Sequence, residues 1–147
     1  MLKEKVDKLV DKYLDEVISI RRHIHQNPEL SLKEFETSKF VANELRKIGL
    51  EAQEGVGKTG VVSNLNLGKG EKTLMLRADM DALPIQEETG LPFSSKNPGV
   101  MHACGHDIHT SILLGVTKVL NEIKDEINGN VKFVFQPAEE NNPVGGA

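Results

Sequence analysis

Three short segments concentrate side chains that can bind metal ions or transfer protons. A thiolate, an imidazole and a carboxylate are all good ligands for a borderline divalent cation such as zinc. One buried histidine or cysteine is usually only packed, but a cluster of polar groups is seldom buried without partners. The clustering therefore favours a metal site. The residues are Asp79 and Asp81 in the first segment, Cys104, His106, Asp107 and His109 in the second, and Glu139 and Glu140 in the third.

The adjacent carboxylates Glu139 and Glu140 could divide the work of a hydrolytic site. One can be held ionised by a cation, while the other stays free to move a proton between water and a leaving amine. A Glu-Glu pair on its own is common on protein surfaces. Its catalytic interpretation therefore depends on the other two segments.

Hydrophobic periodicity predicts three helices and three strands that would position these segments. Ser31-Leu32-Lys33-Glu34 has the spacing of a capping box before the second helix, and Gly49 is a suitable residue to end it. The first two strands are interpreted as a hairpin around Gly68-Lys69-Gly70. The predicted helices cover about 2–25, 35–48 and 108–127, the predicted strands cover 61–67, 73–78 and 131–135, and residues 84–103 form a loop.

Helices that alternate with strands predict an α/β fold with helices packed on a mixed sheet. In open α/β sheets, sites gather outside the carboxyl ends of strands. The aspartates and the glutamates each follow a predicted strand, and the Cys/His segment opens a helix, so all three segments can converge. The last strand is followed by few residues. We therefore expect residues 1–147 to be the front, incomplete part of a longer catalytic domain.

Composition excludes several classes of partner. The 147 residues carry a net charge of −4 with acidic and basic side chains interspersed, which gives no sign of nucleic-acid binding. No stretch reaches the ~18–20 apolar residues that a membrane span needs, and the N-terminus lacks the apolar core of a signal peptide. The single cysteine, Cys104, excludes an internal disulfide. These features predict a cytoplasmic protein that has no contact with membranes.

Residues 52–59, Ala-Gln-Glu-Gly-Val-Gly-Lys-Thr, nearly match a phosphate-binding P-loop, with alanine in place of the first glycine. The true motif precedes a helix whose N-terminus holds the phosphate. Here Gly60-Val61-Val62 begins a predicted strand. We therefore interpret the segment as a turn and not as a nucleotide site.

Several segments together resemble a known family. The chain is similar to the amidohydrolase branch of the aminoacylase/carboxypeptidase-type di-metal peptidases. That branch includes hippurate hydrolases, N-acyl-amino-acid amidohydrolases, N-acetyldiaminopimelate deacetylases and auxin-conjugate hydrolases. The matching segments, in the family's order, are Arg21-Arg22-His23-Ile24-His25 with Pro28-Glu29-Leu30, residues 76–84, residues 102–110, and residues 135–140.

The resemblance implies a ligand set for two divalent metal ions, which could be zinc, manganese, cobalt or nickel. Cys104 matches the ligand that can bridge both metals, and His106 and Glu140 match further ligands. Glu139 matches the catalytic general base, and Asp81 matches a catalytic acidic residue that supports the site.

Three other residues are expected to orient these ligands. Asp79 stands where related peptidases carry a metal-binding histidine, and Asp107 and His109 flank the ligands in the second segment. Such supporting groups fix the orientation of metal ligands through hydrogen bonds.

The resemblance also implies hydrolysis of the amide bond of N-acyl amino acids, a small-molecule substrate class. Family members are more than twice as long and carry a smaller lid domain, often used for dimerisation, which we do not find in residues 1–147. Two alternatives remain open. One is a dipeptidase or carboxypeptidase of the same family, and the other is a catalytically silent fragment.

Overall fold

The computed structural model describes residues 1–68, 70–141 and 145. Within them it has three α-helices and one four-stranded sheet, which confirms the predicted α/β class. The elements in chain order are α1 (Leu2–Gln26), α2 (Phe35–Lys47), β1 (Ala52–Val56), β2 (Gly60–Leu65), β3 (Thr73–Asp79), α3 (His106–Glu122), a 3₁₀ turn (Lys124–Glu126) and β4 (Asn130–Gln136).

The sheet is mixed, with strand order β1-β2-β4-β3. β2 is antiparallel to both β1 and β4, whereas β3 is parallel to β4. The predicted hairpin between residues 61–67 and 73–78 is therefore wrong, because β4 lies between those two strands. Alternate β4 side chains, Val131, Phe133 and Phe135, are buried, which suits β4 to a central position.

The P-loop-like segment forms a strand and a hairpin turn. Ala52–Val56 is β1, which the sequence analysis interpreted as a turn, and it pairs with β2. Gly57 and Lys58 turn the chain with φ values of 59° and 87°. The next element is β2 and not a helix, so the segment lacks the helix N-terminus that a phosphate site needs.

The predicted capping box is also wrong. α2 begins only at Phe35, because Leu32 has a left-handed backbone, with φ at 61°, and Lys33 closes a turn onto Leu30. Ser31 instead donates its hydroxyl hydrogen to Asp81. Phe35, which the periodicity assigned to the buried face, is 57% exposed.

The helices pack on the sheet and on one another. α2 packs on β1 and β2, α3 packs mainly on β3, and α1 packs on α3. Gly115 allows this last contact, because a Cβ atom there would lie 2.8 Å from Cγ2 of Val17. Among the described residues, no helix is both long enough and apolar enough to cross a membrane.

Candidate metal centre

The parallel pair β3 and β4 brings two of the predicted segments to one edge of the sheet. Asp79 pairs with Gln136 at the ends of these strands, and the Met80 amide donates to the Gln136 carbonyl at 2.9 Å. Residues 80–82 and 137–140 therefore leave the sheet side by side. α3 begins at the same edge, after Gly105 has turned the chain with a φ of 91° that favours glycine.

Cys104, His106 and Glu140 converge at this edge. Their donor atoms, a thiol sulfur, an imidazole nitrogen and a carboxylate oxygen, all lie within 4.8 Å of one another. Cys104 is exposed, Glu140 is partly buried and His106 is buried. The point where they meet is therefore open to solvent on one side and fixed by the protein on the other.

Asp81 orients the His106 ring. Nδ1 of His106 lies 2.8 Å from the Asp81 carbonyl and 3.1 Å from its Oδ1, so Nδ1 is placed to donate. Nε2 then lies 3.7 Å from Oε2 of Glu139 and 3.8 Å from Oε1 of Glu140. A metal-binding histidine usually donates from its other ring nitrogen in this way, which fixes the tautomer.

The Asp81 side chain is buried and accepts several hydrogen bonds. Its Oδ2 accepts from the Ser31 hydroxyl at 2.7 Å and from the Glu140 amide at 2.9 Å. Burial raises the pKa of Asp81, but the bonds from His106, Glu140 and Ser31 outweigh it and lower the pKa to about 2. Asp81 is therefore ionised and joins three segments of the chain.

The electrostatics of Cys104 and His106 fit a cation. A hydrogen bond to Glu140, burial and the charges of Glu139 and Asp79 raise the pKa of the Cys104 thiol. Burial lowers the pKa of His106, but Asp81 and Asp79 more than offset it and raise the pKa to about 9. The neighbouring carboxylates thus favour the protonated forms of Cys104 and His106. A divalent cation at this point would supply positive charge in place of those protons.

Asp79 and His109 form a second group of possible metal ligands with His106. Ligand atoms of Asp79, His106 and His109 also fall within 4.8 Å of one another, and Nδ1 of His109 is 3.9 Å from Oδ2 of Asp79. Arg77 forms an ion pair with Oδ1 of Asp79 at 2.6 Å. A supporting role for both residues stays a prediction.

Asp107 does not contact the donors. Its fully buried carboxylate instead lies against α1, where Oδ2 meets Nε of Arg21 at 2.7 Å and Nδ1 of His25 at 2.8 Å. Its predicted orienting role must therefore act through the backbone of α3.

Ser31 and Glu34 are supporting residues that the sequence analysis missed. Both were assigned to a capping box, yet Ser31 binds Asp81, and the fully buried Glu34 accepts a hydrogen bond from the Ala138 amide at 2.8 Å. Glu34 also accepts from the Thr59 hydroxyl at 2.5 Å. No sequence signal links residues so far apart in the chain.

We expect Glu34→Ala to lower the free energy of unfolding by roughly 3 kcal/mol, because it leaves the Thr59 hydroxyl and the Ala138 amide without a partner. The exposed Glu88 is the control, and Glu88→Ala should change stability by less than about 0.5 kcal/mol. Urea unfolding measures both. Equal stability of the two variants would show that the Glu34 contacts contribute nothing.

The chain is similar in sequence to proteins of a known family. The sequence profile of Peptidase family M20/M25/M40 matches residues 75–147. Thermostable carboxypeptidase 2 of Saccharolobus solfataricus is 53% identical over 147 residues, a match that covers 99% of this chain and 37% of that protein. The N-acyl-L-amino acid amidohydrolase of Geobacillus stearothermophilus is 48% identical over 145 residues, covering 99% of this chain and 39% of that protein.

A solved structure agrees with the sequence matches. The YXEP protein of Bacillus subtilis, a dinuclear metal-binding peptidase of the M20 family, superposes with a TM-score of 0.84 at 44% identity. That match covers 88% of this chain and 37% of YXEP. The chain thus spans well under half the length of these relatives. The sequence matches and the structural match therefore agree. The chain belongs to peptidase family M20/M25/M40.

Proposed function

We propose that the protein is a metal-dependent amidohydrolase that cleaves the amide bond of N-acyl amino acids, and that this chain supplies part of its catalytic domain. The observation that carries the proposal is the convergence of Cys104, His106 and Glu140 beside the exposed carboxylate of Glu139. Three donors of this chemistry suit a divalent cation such as zinc, manganese, cobalt or nickel. A bound cation supplies Lewis acidity and lowers the pKa of water.

We infer that Glu139 is the general base. Its side chain is 41% exposed, and its Oε2 lies 3.7 Å from Nε2 of His106, so it borders the donors while remaining open to solvent. It can take a proton from water and pass it to the departing nitrogen. Glu140 is only 25% exposed, and its carboxylate lies within 4.8 Å of donor atoms of both Cys104 and His106, which supports a ligand role.

A two-metal site needs more donors than these three supply. Asp79 and His109 have ligand atoms within 4.8 Å of one another and of His106, which supports a role for them at a second ion. The dinuclear metal binding of YXEP favours two ions for the proposed site.

N-acyl amino acids are the favoured substrate class, since the amidohydrolase of Geobacillus stearothermophilus and the hippurate hydrolase of Campylobacter jejuni are 48% and 50% identical to the chain. A carboxypeptidase is the second candidate, because two thermostable carboxypeptidases of Saccharolobus solfataricus are 53% and 54% identical. Both reactions hydrolyse an amide bond, so the metal centre alone does not distinguish an amidohydrolase from a carboxypeptidase.

The test is hydrolysis of an N-acetyl amino acid and of a dipeptide in the presence of manganese or zinc. We would assay the 147-residue chain and a chimera in which it replaces the matching part of the Geobacillus amidohydrolase. We expect metal-dependent release of acetate by the chimera and little turnover by the chain alone, because its three convergent donors cannot satisfy two metals. Preference for the dipeptide would favour the carboxypeptidase, and an inactive, folded, metal-loaded chimera would contradict both.

Metal binding by the chain should strengthen as the pH rises. Protons compete with the metal at Cys104, whose pKa is raised by Glu140, Glu139 and Asp79, and at His106, whose pKa is raised to about 9 mainly by Asp81. Coordination therefore releases protons, and we expect apparent zinc affinity to rise by at least tenfold between about pH 6 and pH 8. Calorimetry in buffers of different ionisation enthalpy would detect the released protons. A flat affinity would contradict the assignment.

A further inference from the structure

A second group of ionisable side chains lies between α1 and the start of α3, and we call it the α1–α3 cluster. It consists of Arg21, His25, Glu87 and Asp107. His25 is the centre, because its Nδ1 lies 2.8 Å from Oδ2 of Asp107 and its Nε2 lies 3.2 Å from Oε1 of Glu87. His25, Glu87 and Asp107 are 3%, 9% and 0% exposed.

The cluster holds both ends of the segment that carries Cys104. At one end is Glu87, which also accepts from the Ser95 amide at 2.6 Å and so fixes the loop before Cys104. At the other end is Asp107, which directly follows His106 in the first turn of α3. Both ends are tied to α1 through His25, so Cys104 and His106 lie between two anchored points.

Arg21 also holds Asp107, from the solvent-facing side of the cluster. It lies one helical turn before His25 on the same face of α1, and its Nε donates to Oδ2 of Asp107 at 2.7 Å. Its guanidinium also stacks on the Phe93 ring at 4.9 Å. The Arg21 side chain is 27% exposed, so it can be changed with less damage to packing than His25.

We propose that Arg21 and His25 are positioning residues for the candidate metal centre, holding the Asp107 carboxylate and thereby the His106 ring where Nε2 meets Cys104 and Glu140. The inference rests on the proposed metal site. Buried carboxylates that lose their partners are strongly destabilised, and the simplest relief is a shift of the first turn of α3. Metal–donor distances of ~2.0–2.3 Å leave little tolerance for such a shift.

Arg22 provides a matched control. It neighbours Arg21 and stacks on the same Phe93 ring at 5.2 Å, but in the described part of the chain it makes no ion pair with Asp107. Arg21→Gln and Arg22→Gln therefore remove the same charge from the same helix and the same aromatic contact. Only Arg21→Gln removes the bond to Asp107.

The experiment is cobalt titration of the 147-residue chain, followed by the visible spectrum and the thiolate-to-cobalt absorption from Cys104. We expect Arg21→Gln to weaken cobalt affinity about tenfold and His25→Gln by 10- to 100-fold, the usual effect of removing groups that orient ligands. Glutamine at position 25 can donate to Asp107 or to Glu87 but not to both. Both variants should show a changed cobalt spectrum, whereas Arg22→Gln should match the wild type within about twofold.

Thermal unfolding of the metal-free variants separates positioning from a general loss of structure. A variant that unfolds at lower temperature but binds cobalt like wild type, with the same spectrum, would overturn the inference and assign the cluster a purely structural role. If His25→Gln does not fold, the comparison of Arg21→Gln with Arg22→Gln decides. Absence of a thiolate–cobalt band in the wild type would instead refute the metal site itself, and this inference with it.

Discussion

Glu139→Gln should keep the metal content of the protein and lower its turnover of an N-acetyl amino acid by about two to four orders of magnitude, the usual contribution of a general base. The amide has nearly the same size as the carboxylate but cannot take a proton from water. Glu139 is exposed and borders the donors, so the change should disturb no packing. Turnover is measured on the chimera described above, and metal content by elemental analysis after gel filtration.

Glu140→Gln is the matched comparison, because it makes the same chemical change one residue away. Glu140 lies with Cys104 and His106, so its loss should weaken metal binding at least tenfold, with activity partly restored by excess metal. Cys104→Ala should lose metal and activity together. Equal metal loss in the Glu139 and Glu140 variants would show that the two carboxylates do not have separate roles.

Local pattern was sufficient for much of the fold. The amphipathic period of α1 predicted a helix to within one residue of its observed end at Gln26, and the apolar runs predicted β3 and β4 to within one residue at each end. α1 carries its apolar side chains at helical spacing, and alternate side chains of β4 are buried, so the pattern of each element is visible in its own residues. Local pattern does not predict contacts between distant segments. The order of the strands depends on β4 packing between β2 and β3, and no local period encodes that.

In the candidate site, too, local features were predicted and contacts between distant residues were not. Cys104, His106 and Glu140 stand out by chemical type, and the rule that sites form at the carboxyl ends of strands predicted their neighbourhood. The residues that support them did not stand out. Ser31 and Glu34 have the spacing of a helix cap, and their real partners, Asp81 and Ala138, lie 50 and 104 residues away in sequence. A cap and a distant hydrogen bond use the same residue types, so sequence alone does not separate them.

After Glu139→Gln, Asp81→Asn should have the largest effect, because it should both weaken metal binding and lower the free energy of unfolding. The carboxylate receives hydrogen bonds from His106, Ser31 and the Glu140 amide, and an amide that presents its own N–H groups cannot accept them all. We expect metal affinity to fall 10- to 100-fold, because His106 loses the partner that fixes its tautomer. Titration with cobalt measures this, and Asp7→Asn, at an exposed position on α1, is the control.

The effect of Asp81→Asn on stability should depend on pH in a direction fixed by the pKa of Asp81. Because the folded-state pKa is lowered from 3.8 to about 2, the carboxylate stabilises the fold fully above about pH 4 and loses that contribution as the pH falls through 2. The shift corresponds to about 2 kcal/mol. The difference in unfolding free energy between wild type and Asp81→Asn should therefore be largest near neutral pH and shrink by about that amount on acidification to about pH 2. Urea unfolding across this range measures it, and a difference that does not change with pH would mean that the Asp81 charge contributes no stability.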